Sequence, residues 1–235
     1  PATSIMERLA TEMPKRGGRL LQTEDEIAAM SAVVGAGFAG ARAATSTSGP
    51  GLSLMAEMLG MGVIGEVPGV VFVSQRGGPS TGMPTKTEQS DLHMAVYGGP
   101  CDAPRIVIAP TNVDCCYRCG GKAFEMAEAY QTLVIVLIDL YLSNRYETVV
   151  FPARPPFEAD MNRKPGKQAA GAQYKRYALG GDDISPRAIP GEKSNMHVVT
   201  GLEHNELGRP NDSAEMHEAM SRKRHEKLKR ALKHP

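Results

Sequence analysis

Val70-Val71-Phe72-Val73-Ser74-Gln75-Arg76-Gly77-Gly78-Pro79-Ser80-Thr81-Gly82 is the stretch on which the fold turns. Its first five residues form a short apolar run with no polar alternation, which suits a strand covered on both faces. Gly77, Gly78, Pro79 and Gly82 then break regular structure, and a polar stretch continues through Thr85, Lys86 and Thr87 to Asp91. A loop leaving the C-terminal end of a parallel strand is where open α/β sheets place their ligands. Arg76 at the root of that loop, among hydroxyls and backbone N–H groups, suits a carboxylate or a phosphate. An ordinary surface loop has the same composition, and residue types alone leave both readings standing.

The flanking sequence alternates strand and helix signals. Arg42 to Ser46, Arg105 to Pro110 and Val134 to Asp139 read as further strands, and Arg19 to Gln22 as a short one. Helices are expected from Pro1 to Met13, from Thr23 to Phe38, from Leu52 to Val63, over Leu92 to Val96, and from a cap at Thr111 or Asn112 to Tyr130. Ser4 with Glu7 and Thr23 with Glu26 both fit a capping box. The alternation predicts an α/β fold, a doubly wound and mostly parallel sheet over residues 1–150. Glu26 then has two readings, a helix cap or a buried carboxyl aimed at a ligand. Ser48 and Gly49 fall at a strand-to-helix turn, where backbone N–H groups can face a ligand or simply begin a helix. Gly35-Ala36-Gly37-Phe38-Ala39-Gly40 matches a dinucleotide fingerprint, but the breaker Thr45 to Gly51 leaves no room for the helix such a motif must open.

Beyond Val150 the composition changes. Pro152, Pro155 and Pro156 lead into a polar segment, expected over 151–213 as an extended arm lying on a neighbour, with brief strands at Tyr174 to Tyr177 and Met196 to Thr200. A helix over 214–235, capped by Asp212 or Ser213, carries seven Lys or Arg from Arg222 onward and reads as a solvated linker helix. The start at Pro1 and the end at Pro235 straight after a helical pattern are expected of a piece of a longer chain.

Composition narrows the function. The net charge is +1, so no bulk field points to nucleic acid or to a membrane surface, and 41% of residues are hydrophobic, enough for a core. There is no apolar run long enough to cross a membrane and no signal-peptide pattern, from which a soluble cytoplasmic protein is expected. The four cysteines, Cys101, Cys115, Cys116 and Cys119, follow no disulfide, zinc or iron–sulfur spacing and read as buried small side chains. His204 between Glu203 and Glu206 is too little for a metal site.

Three motifs together resemble one family. Thr47-Ser48-Gly49-Pro50-Gly51, Gln75 to Gly82 and Pro84-Thr85-Lys86-Thr87-Glu88-Gln89-Ser90-Asp91 are similar to the alpha subunit of 2-oxoacid:ferredoxin oxidoreductases, in particular the 2-oxoglutarate type. Thr23 to Ala29, Tyr141 to Arg145, Ser185 to Gly191 and Gly201 to His204 fit as well, so the likeness runs the length of the chain.

The resemblance implies the pyrimidine-binding domain of a thiamine diphosphate enzyme. A beta subunit would supply the diphosphate and Mg²⁺ site and an iron–sulfur cluster. The implied reaction is oxidative decarboxylation of 2-oxoglutarate to succinyl-CoA, with coenzyme A as acyl acceptor and ferredoxin as electron acceptor. The same chemistry on pyruvate or branched 2-oxoacids, and an inactive partner-binding chain, are the alternatives. By position, the resemblance assigns Glu26 to N1′ of the aminopyrimidine, Arg76 to the substrate carboxylate and Thr81 to the 2-oxo group. In the family a Tyr-Pro-Ile-Thr-Pro segment also reaches the substrate, and this chain begins at or just after that place.

Overall fold

The computed structural model describes residues 2–100, 102–150, 173–193 and 195–233. The front of the expected arm, with Pro152, Pro155 and Pro156, lies outside the described residues. Four strands form one wholly parallel sheet in the order β1-β2-β4-β3: β1 Ala44–Thr47, β2 Gly69–Gln75, β3 Ile106–Ile108 and β4 Leu133–Asp139. β2 and β4 are the central pair, in register from Gly69 opposite Leu133 to Gln75 opposite Asp139. Both are almost continuously buried, as their unbroken apolar runs require of strands covered twice.

Side chains alternate across these strands, and each face has its own helical layer. Val71, Val73, Leu133, Ile135 and Leu137 pack against α2 Glu26–Phe38, α3 Gly49–Leu54, α4 Ala56–Ile64 and α5 Leu92–Tyr97. Val70, Val134, Val136 and Ile106 meet Ala123, Met126 and Ala127 of α6 Val113–Tyr130 on the other face. The sheet is therefore doubly wound, as the strand–helix alternation predicts. α1 Thr3–Glu12 and a 3₁₀ turn Pro14–Arg16 precede it, and α1 buries no residue.

Several local expectations are corrected. The Ser4–Glu7 capping box does not form, since Ala2 is the N-cap and gives no side-chain bond. The cap of α2 is Asp25, whose Oδ1 accepts from the Ala28 amide at 2.8 Å, so Thr23 is not the cap. The single helix expected over Leu52 to Val63 is broken at Met55 into α3 and α4. Arg19 to Gln22, Tyr174 to Tyr177 and Met196 to Thr200 form no strands, because none of these segments finds a ladder partner. Gly35 and Gly37 lie inside α2, with no strand before them, and a Cβ on Gly37 would stand 2.3 Å from the Pro68 carbonyl oxygen. Close packing on Pro68 accounts for Gly37, whereas a Cβ on Gly35 would meet nothing within 4 Å.

The described arm residues, 173–193 and 195–213, and α8 Ala214–Ala231 pack against the chain's own sheet and helices. Arg176 donates to the Glu66 carbonyl at 2.7 Å, and Gln131 Nε2 to the Ser185 carbonyl at 2.6 Å. Arg187 is buried, donating to the Gly37 carbonyl at 2.9 Å and pairing with the Glu128 carboxylate. Lys223 and Lys227, expected to be solvated, are each 2% exposed. Both ammonium groups pair with the Glu66 carboxylate, Lys227 at 2.8 Å, and Lys227 also donates to the Gln131 carbonyl. Burial raises the Glu66 pKa, but Lys223, Lys227 and Arg176 outweigh it and hold the group ionised, well below the usual carboxylate range. Glu66 and Gln131 sit in the turns that feed β2 and β4, both at positive φ. The described arm residues and α8 thus cover the N-terminal edge of the sheet, opposite the edge where Glu26 and Arg76 lie. No helix among the described residues is long and apolar enough to cross a membrane.

Candidate active site

Glu26 is the first residue of α2, and α2 runs antiparallel to the strand after it, so Glu26 stands at the C-terminal edge of the sheet. With Asp25 doing the capping, the Glu26 carboxyl is free for another task. It rests on the backbone of Gly51: a Cβ there would lie 2.7 Å from Glu26 Oε1 and 2.0 Å from Thr47 Oγ1. Glycine at 51 is what lets the carboxyl and the buried Thr47 hydroxyl approach the turn. The Glu26 carboxyl has no hydrogen-bond partner among the described residues, and it lines a cleft of about 350 Å³ with Ala29, Ser46 and Phe72.

Ser48 is the N-cap of α3 and makes no side-chain cap bond, while Gly49 is buried beside it. Gly49 is confined in the same way as Gly51, since a Cβ there would lie 2.5 Å from Asp91 Oδ2. Glu26 and Asp91 therefore hold the turn Gly49-Pro50-Gly51 between them.

The loop after β2 is clamped rather than loose. Gln75 is buried at its root, and Gln75 Oε1 accepts the Asp91 amide at 3.0 Å, which ties one end of the loop to the other. Gln89 Nε2 donates to Asp139 Oδ2 at 2.5 Å, and Asp139 Oδ1 caps α7 Leu140–Ser143 through the Leu142 amide at 2.7 Å. Within the loop, Gly77 donates to the Lys86 carbonyl at 3.0 Å and accepts from the Met83 amide at 2.8 Å. Gly82 takes φ +54° with its Cα too close to the Gly77 carbonyl for any Cβ, and the Gly78–Pro79 peptide is cis.

Arg76 is held at the foot of this clamp, half-buried. Its Nε is buried and has no partner among the described residues, which is the condition of a donor kept for an anion. Thr81 lies on the exposed outer part of the loop, and no hydrogen bond among the described residues joins it to Glu26 or Arg76. Glu26, Ser48, Gly49 and Arg76 thus share the C-terminal edge, and Thr81 stands apart from them.

Sequence patterns do not reveal Thr47, Gln75, Gln89, Asp91 or Asp139 as parts of this site. They are polar residues at strand ends or in the loop, and only their position at one sheet edge marks them. Burial raises the thiols of Cys116 and Cys119 in α6, away from the thiolate form a reactive cysteine needs. Cys115 and Cys119 lie one turn apart with Sγ atoms 3.6 Å apart, and burial, then the Cys115 contact, pushes the Cys119 thiol up to about 12. His204 is fully buried under Tyr177, and the Glu203 carboxylate accepts the His204 amide at 3.2 Å while pairing with Arg224 and His217.

The parallel sheet, the glycine turn and the clamped arginine loop define a ligand-binding α/β domain whose chemistry lies at one edge. The chain belongs to the family described as "Pyruvate flavodoxin/ferredoxin oxidoreductase, thiamine diP-bdg", whose model matches residues 1–223. A 2-oxoacid:ferredoxin oxidoreductase alpha subunit of Aeropyrum pernix is 43% identical over 89% of this chain, and the 2-oxoglutarate synthase subunit KorA of Methanocaldococcus jannaschii 39% identical over 95%. The matches cover 32% and 59% of those relatives. A structure of 2-oxoglutarate:ferredoxin oxidoreductase from Magnetococcus marinus, with 2-oxoglutarate, coenzyme A and succinyl-CoA bound, superimposes over the whole chain with a TM-score of 0.95 at 47% identity. That match covers 41% of the solved chain.

Proposed function

We propose that this chain forms the pyrimidine-binding part of the thiamine diphosphate site in the alpha subunit of a 2-oxoglutarate:ferredoxin oxidoreductase. In that role it takes part in oxidative decarboxylation of 2-oxoglutarate to succinyl-CoA, with electrons passed to ferredoxin. The carrying observation is the Glu26 carboxyl, released from capping by Asp25 and left without a partner where Gly51 lets a ligand-facing acid approach. A flat heteroaromatic base fits that donor set, and the unpartnered Arg76 Nε fits the carboxylate of a 2-oxoacid. When bound, thiamine diphosphate supplies the carbon nucleophile that 2-oxoacid decarboxylation requires.

Glu26 holds a proton at N1′ of the aminopyrimidine, which shifts the basicity of the ring's amino nitrogen. Ser48 and Gly49 shape the wall of the cofactor pocket. Arg76 orients the substrate through its carboxylate, and Thr81 on the same loop is assigned to the 2-oxo oxygen. A beta subunit with the Mg²⁺, diphosphate and iron–sulfur sites completes the enzyme, in the cytoplasm. The domain lies in 1–150, with the arm 151–213 and helix 214–235 as its extension. The test is 2-oxoglutarate-dependent viologen reduction, with coenzyme A, by the full alpha chain co-expressed with its beta subunit. Glu26→Gln is expected to lower kcat by about 10²–10⁴-fold, as loss of a general acid–base group does. Turnover unchanged by Glu26→Gln removes that role, and an assembled, cofactor-loaded complex inert to every 2-oxoacid refutes the proposed reaction.

A further inference from the structure

Asp91 touches both halves of the candidate site. Its amide donates to Gln75 Oε1 at the root of the Arg76 loop, and its carboxyl lies flat against Gly49, with Oδ2 and Oδ1 2.5 and 2.6 Å from where a Cβ would stand. On the same turn, two residues along, Gly51 carries Glu26. Asp91 occupies the N-cap position of α5, yet its side chain accepts no capping bond. Oδ2 is buried and without a partner. A carboxyl that ignores the adjacent helix N–H groups and leaves an oxygen unpaired is not explained by helix capping.

We propose that Asp91 is a positioning residue: by resting on Gly49 it sets the spacing between the Arg76 loop and the turn on which the Glu26 carboxyl of α2 rests. A 2-oxoacid gripped by Arg76 is thereby presented to the cofactor gripped by Glu26. This rests on the thiamine diphosphate reading above. The contact favours the neutral carboxyl. Burial, then the charge of Glu88 on the same loop, raises the Asp91 pKa. Gln75 on β2 is uncharged, the α3 turn offers Gly49 backbone with the Glu26 carboxyl beyond it, and His93 on α5 is exposed. A raised pKa means that the contact is fully stabilised below the ordinary carboxylate range and weakens as pH rises through the raised value.

The experiment uses the assembled alpha–beta complex and compares wild type, Asp91→Asn and Asp91→Ala from the ordinary aspartate range, about pH 4, upward to about pH 8. It reads KM and kcat for 2-oxoglutarate, thiamine diphosphate affinity by calorimetry, and hydrogen exchange of residues 76–90 without substrate. Wild-type KM is expected to rise with pH, and Asp91→Asn, neutral at every pH, to hold the low-pH value throughout. Asp91→Ala is expected to raise KM roughly tenfold or more and to speed loop exchange, with cofactor affinity falling by far less than KM rises. A wild-type pH profile in Asp91→Asn, a parallel loss of cofactor affinity, or unchanged loop exchange in Asp91→Ala overturns the proposal. The exchange readout needs no turnover, so a complex inactive on 2-oxoacids still decides the role of Asp91 separately from that of the reaction.

Discussion

Replacing Glu66 by Gln tests what holds the C-terminal helix to the sheet. The side chain keeps its volume and the residue its φ of +49°, so neither packing nor backbone strain changes. What changes is charge. Glu66 is 1% exposed and is the counter-ion of two ammonium groups that are nearly as buried, with Arg176 close by. Removing one member of a buried ion pair leaves the other uncompensated and costs about 3–5 kcal/mol. For a chain of this size that loss lowers Tm by roughly 6–20 °C.

The effect depends on pH with a definite sign. Burial, opposed by Glu66, brings Lys227 down to about 8, so above that value the folded chain binds fewer protons than the unfolded one and gains stability as pH rises. Without Glu66 the lysines give up protons at still lower pH. The penalty of Glu66→Gln is therefore largest on the acid side of neutrality, shrinks as pH rises toward about 8, and levels off above it. Urea unfolding followed by circular dichroism at several pH values measures it. A loss below about 1 kcal/mol, or one flat with pH, refutes the idea that this cluster fastens α8. Replacing Glu66, Lys223 and Lys227 together by Met is expected to recover most of the loss, since apolar packing substitutes well for a buried ion cluster.

Two further outcomes follow from the close approaches. Gly51→Ala places a methyl 2.0 Å from Thr47 Oγ1 and 2.7 Å from Glu26 Oε1, and is expected to cost about 1–3 kcal/mol in thermal unfolding and to lower viologen-coupled turnover more than tenfold. Arg187→Met leaves the Glu128 carboxylate buried without its partner, and is expected to cost about 3–5 kcal/mol by urea unfolding, whereas Arg187→Met with Glu128→Leu costs much less.

How far the sequence could be read depended on the range of the interaction. Val70 to Ser74 and Val134 to Asp139 are apolar runs bounded by breakers, and their strands are found there to within a residue. Asn112 and Ser213, at the starts of long periodic patterns, cap their helices. Thr23-x-x-Glu26 misled because Asp25 satisfies the same local rule with the helix begun two residues later, and that shift is what frees Glu26. Lys223 and Lys227 read as solvated because their counter-charge comes from Glu66, far away along the chain. The ties from Gln75 to Asp91 and from Gln89 to Asp139 carry no periodicity or spacing, since they join strand ends that only the sheet order brings side by side.

The clamped loop after β2 behaves as a cassette. Its feet, Gln75 with Asp91 and Gln89 with Asp139, are anchored in the sheet, and its waist is closed by the Gly77–Lys86 and Gly77–Met83 bonds. The tip from Pro79 to Thr85 is exposed and bonds little beyond itself. Shape and identity are thus written in different residues. A tip of equal length taken from a relative with another substrate can be spliced between these anchors without renegotiating the core, which makes the segment a natural module for exchanging selectivity while the Glu26 side of the pocket stays as it is.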